Sequence, residues 1–275
     1  MTDTTEDLEA LAGFEDALRG MVPPTFDTIE AERRHRKERL AAGFRLLAKR
    51  ALTTGPAGHI TVRDPELTDH FWVNPFVVPF SRMTVSDLIL VNHAGDIVEG
   101  DRTINAAAFA IHSRIHSAHP TLNGACHSHS TYGRPFSATS RLIEMTSQDA
   151  CSFYESQVLF TDFSGVVLAE EEGDRIAEAL ATPTPCREGN KLAILENHGL
   201  LTVGETVDEA VFWFLLGEKM CHDQLLLDAT NKPYRVIDHD VAAATRDVVG
   251  LRFAGWLSFQ TLYDEIVHEQ PDLLD

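Results

Sequence analysis

The sequence is short of positive charge and of organised cysteine. Among 275 residues, 23 Lys and Arg stand against 42 Asp and Glu, a formal charge of −19. Such a chain lacks the cationic surface that displaces counterions from a nucleic-acid backbone, and it has no attraction to an anionic membrane. No run approaches the roughly 18 apolar residues of a spanning helix. The N-terminus, MTDTTEDLEALAGFED, is acidic where a secretory signal is basic, so the expected compartment is the cytoplasm. The cysteines Cys126, Cys151, Cys186 and Cys221 are scattered and form no CxxC pair, which indicates neither a zinc knuckle nor a disulfide framework. No internal repeat, low-complexity tract or interdomain linker is visible.

What is present fits one large α/β unit, a mostly antiparallel sheet flanked by helices. Residues 1–25 read as an arm, a short helix followed by the turn Val22-Pro23-Pro24, and residues 26–275 as the domain. A charged helix is expected from Thr28 to Arg50, capped by Thr28 or Asp27, with Leu40, Phe44 and Leu47 as its apolar stripe. HITVRD, HFWVNP and LILVNH read as strands, and His93 to Asp96 as a hairpin turn. Further helices are expected over 105–117, 131–139, 170–180, 207–230 (capped by Thr206) and 241–268. LNGACHSHS and KLAILEN read as strands, with HGLLTVG as a return.

The strongest chemical signal is Cys126-His127-Ser128-His129-Ser130. In extended chain, residues two apart share a face, so His127 and His129 can aim both imidazoles at one metal ion. The plain alternative is a pair of hydrogen-bonded histidines at a strand end. Glu196-Asn197-His198-Gly199 offers a third imidazole at the end of an apolar strand, and three neutral nitrogens with open positions suit a catalytic metal. Alone, His198 reads as an ordinary core or surface histidine.

In order, Gly58-His-Ile-Thr-Val-Arg63, Val85-Ser-Asp-Leu-Ile-Leu-Val91, His116-Ser-Ala-His-Pro120, Ala125-Cys-His-Ser-His129 and Glu196-Asn-His-Gly-Leu-Leu-Thr-Val-Gly204 make the chain resemble the class II aldolase/adducin family over about residues 30–230. The resemblance implies a three-layer α/β/α fold, a homotetramer, and one divalent metal held by His127, His129 and His198.

The chain also departs from the aldolases of that family. Their acid/base glutamate falls on Ala108, and no carboxylate stands between Ile104 and His119. Alanine cannot move a proton, so a water, Asn105, His112, His116 or Tyr132 would have to substitute. Where the aldolases carry Gly-Asn, a Ser/Thr-Gly step and a serine-rich step for phosphate, this chain has Gly58-His59, Phe76-Val77 and Thr103-Ile-Asn105. Short hydroxyls and free amides are what a phosphate needs, so the expected substrate is an unphosphorylated carboxylic acid, apolar or aromatic at one end. His59 is a candidate carboxylate partner or outer support of the metal, against a plain structural histidine.

Two branches of the family fit. One holds decarboxylases of aromatic acids, some with a similar Gly-His-Ile-Ser/Thr-x-Arg strand. The other holds the non-haem iron oxygenases of aminocoumarin antibiotic biosynthesis, which form a prenylated 4-hydroxybenzoate. The chain resembles the latter in length and in Asp27-Thr-Ile-Glu30, His35-Arg-Lys-Glu-Arg39 and Asp64-Pro-Glu-Leu67. Fe(II) with O2 as co-substrate, or Zn(II) as Lewis acid, both accept imidazole ligands. A retro-aldol lyase with a replaced acid/base and a non-catalytic, adducin-like interaction module are the alternatives.

Other residues are weighed the same way. Arg63 and Arg134 are candidate carboxylate partners, Arg63 reading more simply as structural. Tyr132 could line the site or pack. Trp256, Phe259 and Tyr263 of the last helix read as packed side chains; the resemblance also makes Arg252, Trp256 and Tyr263 candidates for a neighbour's pocket. Cys126 reads as a buried hydrophobe facing away from the imidazoles, His112, His116 and His119 as a polar helix face, and Glu170-Glu-Glu172 as a solvated helix start.

Overall fold

A computed structural model describes residues 21–165 and 170–275, without the side chains of Ala107, Ala108 and Glu170. Residues 1–20 of the expected arm lie outside the described residues.

The first helix among the described residues, α1 (Ile29–Lys49), starts where expected: the Thr28 hydroxyl accepts the Ala31 N–H at 3.1 Å, and Glu30 and Glu32 sit at its positive end. Its buried Leu40, Phe44 and Leu47 follow a helical period. Four strands come next: β1 (His59–Arg63), β2 (His70–Val73), β3 (Ile89–Asn92) and β4 (Ile97–Glu99). Then come α2 (Ala106–Ala118), β5 (Gly124–Ser128), the short α3 (Gly133–Ser137), β6 (Gln157–Phe160), α4 (Glu170–Leu180), β7 (Leu192–Leu195) and β8 (Gly199–Gly204). Three helices close the chain: α5 (Val207–Ala229), α6 (His239–Val249) and α7 (Arg252–Glu269).

The strands form one eight-stranded sheet in the order β4-β3-β2-β1-β5-β8-β7-β6. Every neighbouring pair is antiparallel except β6 and β7. Helices cover both faces, which makes three layers. On one face, Leu40, Phe44 and Leu47 of α1 and Val211, Trp213 and Phe214 of α5 pack with Ile60, Val62, Cys126 and Leu200. On the other, Ile111 and Ile115 of α2 and Ile176 and Leu180 of α4 pack with Ala125, Leu195, Leu201 and Val203. The alternation along a strand decides the site. In β1, Ile60 and Val62 enter the first core, so His59, Thr61 and Arg63 face α2. In β5, Cys126 enters the first core and His127 faces α2. β1 and β5 pair with His59 opposite His127 and Thr61 opposite Ala125.

Three expectations need correction, and one strand was not foreseen. The helix expected over 241–268 is two helices. The chain leaves the helix at Gly250, whose N–H closes on Arg246 O at 2.7 Å and whose carbonyl takes the buried Lys191 ammonium. Strand β6 was hidden because Gln157–Phe160 is too short for its pattern to stand out; it pairs in parallel with β7. Glu172 is not solvated: it is buried and accepts the Ser164 hydroxyl at 2.5 Å. His198 is not on a strand but in the turn of residues 196–198 between β7 and β8.

Candidate metal centre and active-site cleft

The three expected ligands meet. The candidate metal-ligating nitrogens of His127, His129 and His198 all lie within 4.8 Å of one another. His129 Nε2 and His198 Nε2 are 3.1 Å apart. Two imidazoles bound to one zinc at 2.0–2.1 Å and a tetrahedral angle sit about 3.3 Å apart, so this pair is already at the spacing a shared ion needs. The rings stand edge to face rather than stacked, with centroids 4.6 Å apart for His127–His198, 5.1 Å for His129–His198 and 5.3 Å for His127–His129.

Each ligand is held from behind. His127 Nδ1 donates to the Leu200 carbonyl of neighbouring β8 at 2.8 Å, which leaves Nε2 with a bare lone pair toward the site. The His129 carbonyl accepts the Thr54 hydroxyl at 2.9 Å. His198 follows Asn197, whose φ is +55°, and precedes Gly199, whose φ is +148°. A side chain at 199 would be strained there and would stand 3.8 Å from the His127 ring. Gly58 has φ +106°, and a Cβ there would meet the Ser128 hydroxyl at 2.8 Å and the His127 carbonyl at 3.2 Å.

Glu218 of α5 anchors the loop after His129. Its buried carboxylate accepts the Ser130 hydroxyl at 2.5 Å, the Tyr132 N–H at 2.6 Å and the Gly133 N–H at 2.7 Å. Glu218→Gln puts an amide NH2 among three donors, an unmet set that costs about 1–3 kcal/mol. The variant is expected to hold Zn(II) about tenfold more weakly in a chelator competition, with wild-type affinity arguing against the anchor.

Burial keeps the imidazoles neutral, as metal binding requires. It holds His127 well below the usual histidine range, reinforced by the facing His198, His59 and His129 rings. His198 is lowered to about 4, by burial and then His129, and His129 is lowered by burial and then Arg134. The donor set therefore fits a divalent ion.

A cleft of about 580 Å³ opens over the three histidines. His59, Phe76, Asn105, Ile111, Arg134 and Phe163 contribute to its wall, and no carboxylate does so among the described residues. Arg134 Nε donates to Ser130 O at 3.1 Å, which sets the guanidinium beside the histidine loop. Ala108 lies near the start of α2; its side chain is outside the described residues. Three other expected residues lie off this wall. Val77 is 70% exposed. Tyr132 packs on His222, ring centroids 4.1 Å apart. Trp256 lines a separate cavity with Phe26, His35 and Asp208. Arg63 is structural: its guanidinium donates to the carbonyls of Thr68, His116, His119 and Leu122.

What the sequence reading missed lies behind His59. The imidazoles of His59 and His112, the Thr61 hydroxyl and the imidazole of His116 form one buried hydrogen-bonded chain, with links of 2.7, 2.7 and 2.8 Å, that ends on the Leu122 carbonyl at 3.1 Å. Burial lowers all three imidazoles below the usual range, His116 to about 3. The available signal was the two-residue spacing of His59 and Thr61 and the four-residue spacing of His112 and His116.

Comparison with known proteins agrees with this geometry. A sequence profile of the Class II Aldolase and Adducin N-terminal domain matches residues 38–225. The chain is 43% identical to Decarboxylase NovR of Streptomyces niveus over 267 residues, 96% of each chain. It is also 43% identical, over 253 residues, to the 4-hydroxy-3-prenylphenylpyruvate oxygenase/4-hydroxy-3-prenylbenzoate synthase of Streptomyces roseochromogenus subsp. oscitans, covering 91% of this chain and 88% of that protein. The solved L-fuculose 1-phosphate aldolase from Glaciozyma antarctica PI12 superposes with a TM-score of 0.83 at 44% identity, covering 92% of this chain and 96% of that one. A profile that spans most of the chain, relatives alike over nearly its whole length, and a histidine group on the matching motifs lead to one conclusion: the protein belongs to the class II aldolase/adducin family.

Proposed function

We propose that the protein is a mononuclear three-histidine metalloenzyme that decarboxylates an unphosphorylated aromatic 2-oxo or 2-hydroxy acid. The observation that carries this is the juxtaposition of three neutral imidazoles with a cleft walled by Phe76, Ile111 and Phe163. His127, His129 and His198 hold the ion. A bound divalent metal supplies Lewis acidity, and as Fe(II) it supplies redox chemistry with dioxygen. Arg134 offers the carboxylate a planar cationic donor, and the aromatic side chains take the ring and exclude water.

Of the two Streptomyces relatives, the decarboxylase supports loss of CO2 and the 4-hydroxy-3-prenylphenylpyruvate oxygenase supports an aromatic acid. They separate two versions: simple metal-assisted decarboxylation, and oxidative decarboxylation with Fe(II) and O2. The fuculose-phosphate aldolase of similar identity supports a retro-aldol reading instead. Against that reading stand the alanine at position 108 and a cleft wall to which no hydroxyl side chain contributes among the described residues. Residence in the cytoplasm and assembly as a homotetramer belong to the same proposal. Free, buried cysteines and the half-exposed apolar side chains between α5 and α7 support them. Among the described residues, no helix is long and apolar enough to cross a membrane.

The test is metal analysis of protein purified without oxygen, followed by oxygen-electrode and CO2 assays with 4-hydroxyphenylpyruvate and its ring-substituted analogues. CO2 release that needs Fe(II) and consumes O2 selects the oxidative version, and release under nitrogen with Zn(II) the simple one. Turnover of fuculose 1-phosphate alone selects the aldolase. Protein that takes up neither metal is an adducin-like scaffold.

A further inference from the structure

The direction of the buried chain behind His59 is set at its far end. A carbonyl oxygen only accepts, so His116 Nδ1, 3.1 Å from Leu122 O, carries that ring's proton. His116 is buried and neutral, which leaves its Nε2 as an acceptor for the Thr61 hydroxyl at 2.8 Å. A hydroxyl has one proton. At its 2.7 Å contact with His112, Thr61 therefore accepts, and His112 Nδ1 donates. His112 Nε2 is then bare and accepts from His59 Nδ1 at 2.7 Å. One carbonyl thus decides three tautomers, and His59 is left with an unprotonated Nε2. His59 itself lines the cleft beside His127, ring centroids 4.9 Å apart.

We propose that His59 is a specificity-determining residue: its Nε2 is a fixed hydrogen-bond acceptor that selects ligands carrying a hydroxyl donor, so the site prefers a 2-hydroxy acid to the matching 2-oxo acid. This rests on the reading of the cleft as a metal site for an aryl carboxylic acid. The two sides of the cleft are complementary. Arg134 can only donate and suits the carboxylate. His59 in this tautomer can only accept, so it does not serve a carboxylate, and a 2-oxo oxygen has no proton to give it. A polar atom covered by a ligand that cannot pair with it penalises that ligand, here by about tenfold. Thr61 acts as a positioning residue: it orders the tautomers through His112 and does not line the cleft.

Two readouts test this. Nitrogen NMR of the imidazoles in the protein without added metal is expected to show His59 Nε2 unprotonated and Nδ1 protonated, and a protonated Nε2 overturns the proposal. Zn(II)-loaded protein is then titrated in a calorimeter with mandelate and with benzoylformate, which differ only in a 2-hydroxyl against a 2-oxo group. The wild type is expected to bind mandelate about tenfold more tightly. His59→Phe, and Thr61→Val where it folds, are expected to bind both acids about equally. Equal binding by the wild type, or an undiminished preference in His59→Phe, overturns the proposal. If neither acid binds, the aryl-acid reading of the cleft fails, and the nitrogen resonances alone decide whether His59 is the acceptor.

Discussion

His198→Ala is expected to fold normally and to lose its metal. His198 is in a turn rather than a strand, is only half-buried, and its ring nitrogen meets His129 rather than a core partner. Its removal leaves no cavity in either apolar core, so the unfolding free energy from urea titration should change by no more than about 0.5 kcal/mol. The centre, in contrast, drops from three imidazoles to two. Loss of supporting groups around a metal already costs 10–100-fold in affinity, so loss of a ligand should cost at least about a hundredfold. Metal content after dialysis should fall close to zero, and CO2 release with it. Retention of stoichiometric metal by the folded variant would remove the basis of the proposed chemistry. His127→Ala should behave differently: it also gives up the bond to Leu200 O and leaves a gap beneath α2, so it should lose stability together with metal.

The second large effect is acid lability. His59, His112 and His116 are buried without a carboxylate partner in their chain, and burial holds each below the usual histidine range. In the unfolded chain they titrate near 6.5. Below that pH the unfolded state binds protons that the folded state refuses, so stability is full above about 6.5 and falls as the pH drops. Each such imidazole contributes about 1.4 kcal/mol per pH unit, and the three together about 4. A typical domain has 5–15 kcal/mol in total, so most of the fold's stability should vanish between pH 6.5 and about 4.5. For His116 the window extends down to about 3. Asp64 adds a lower one. Burial disfavours its charge, but Arg33, the Leu67 and Glu66 N–H groups and Trp72 outweigh this and hold it at about 2. Its contribution is present above about 4 and lost toward 2. Urea midpoints at pH 7.5, 6.5 and 5.5 check the histidine effect. A flat profile would mean that the buried imidazoles take up protons in the folded state, against the burial that lowers them.

How much of this could be read beforehand depends on the range over which each signal acts. The pairing of His127 with His129 needs only the two-residue alternation of extended chain, which is local. The cap of α1 at Thr28 and the apolar wall at Phe76 are local as well. His198 is different: nothing near it in sequence ties it to His127, and only the family resemblance joined them before the structure did. The hidden break at Gly250 came from reading a continuous apolar pattern through a glycine. The buried Glu172 came from reading three acidic residues as one solvated run.

The sequence by itself determined the α/β architecture, the shared face of His127 and His129 and the alanine at position 108, because periodicity and motif are properties of neighbouring residues. Only the tertiary structure decided what stands behind them. β1 lies beside β5, which sets His59 opposite His127, and α2 lies across both, which brings His112 and His116 to Thr61. Those contacts join residues more than fifty positions apart. Once water is excluded, each imidazole must find a partner, and the order of partners then fixes the tautomer of each ring.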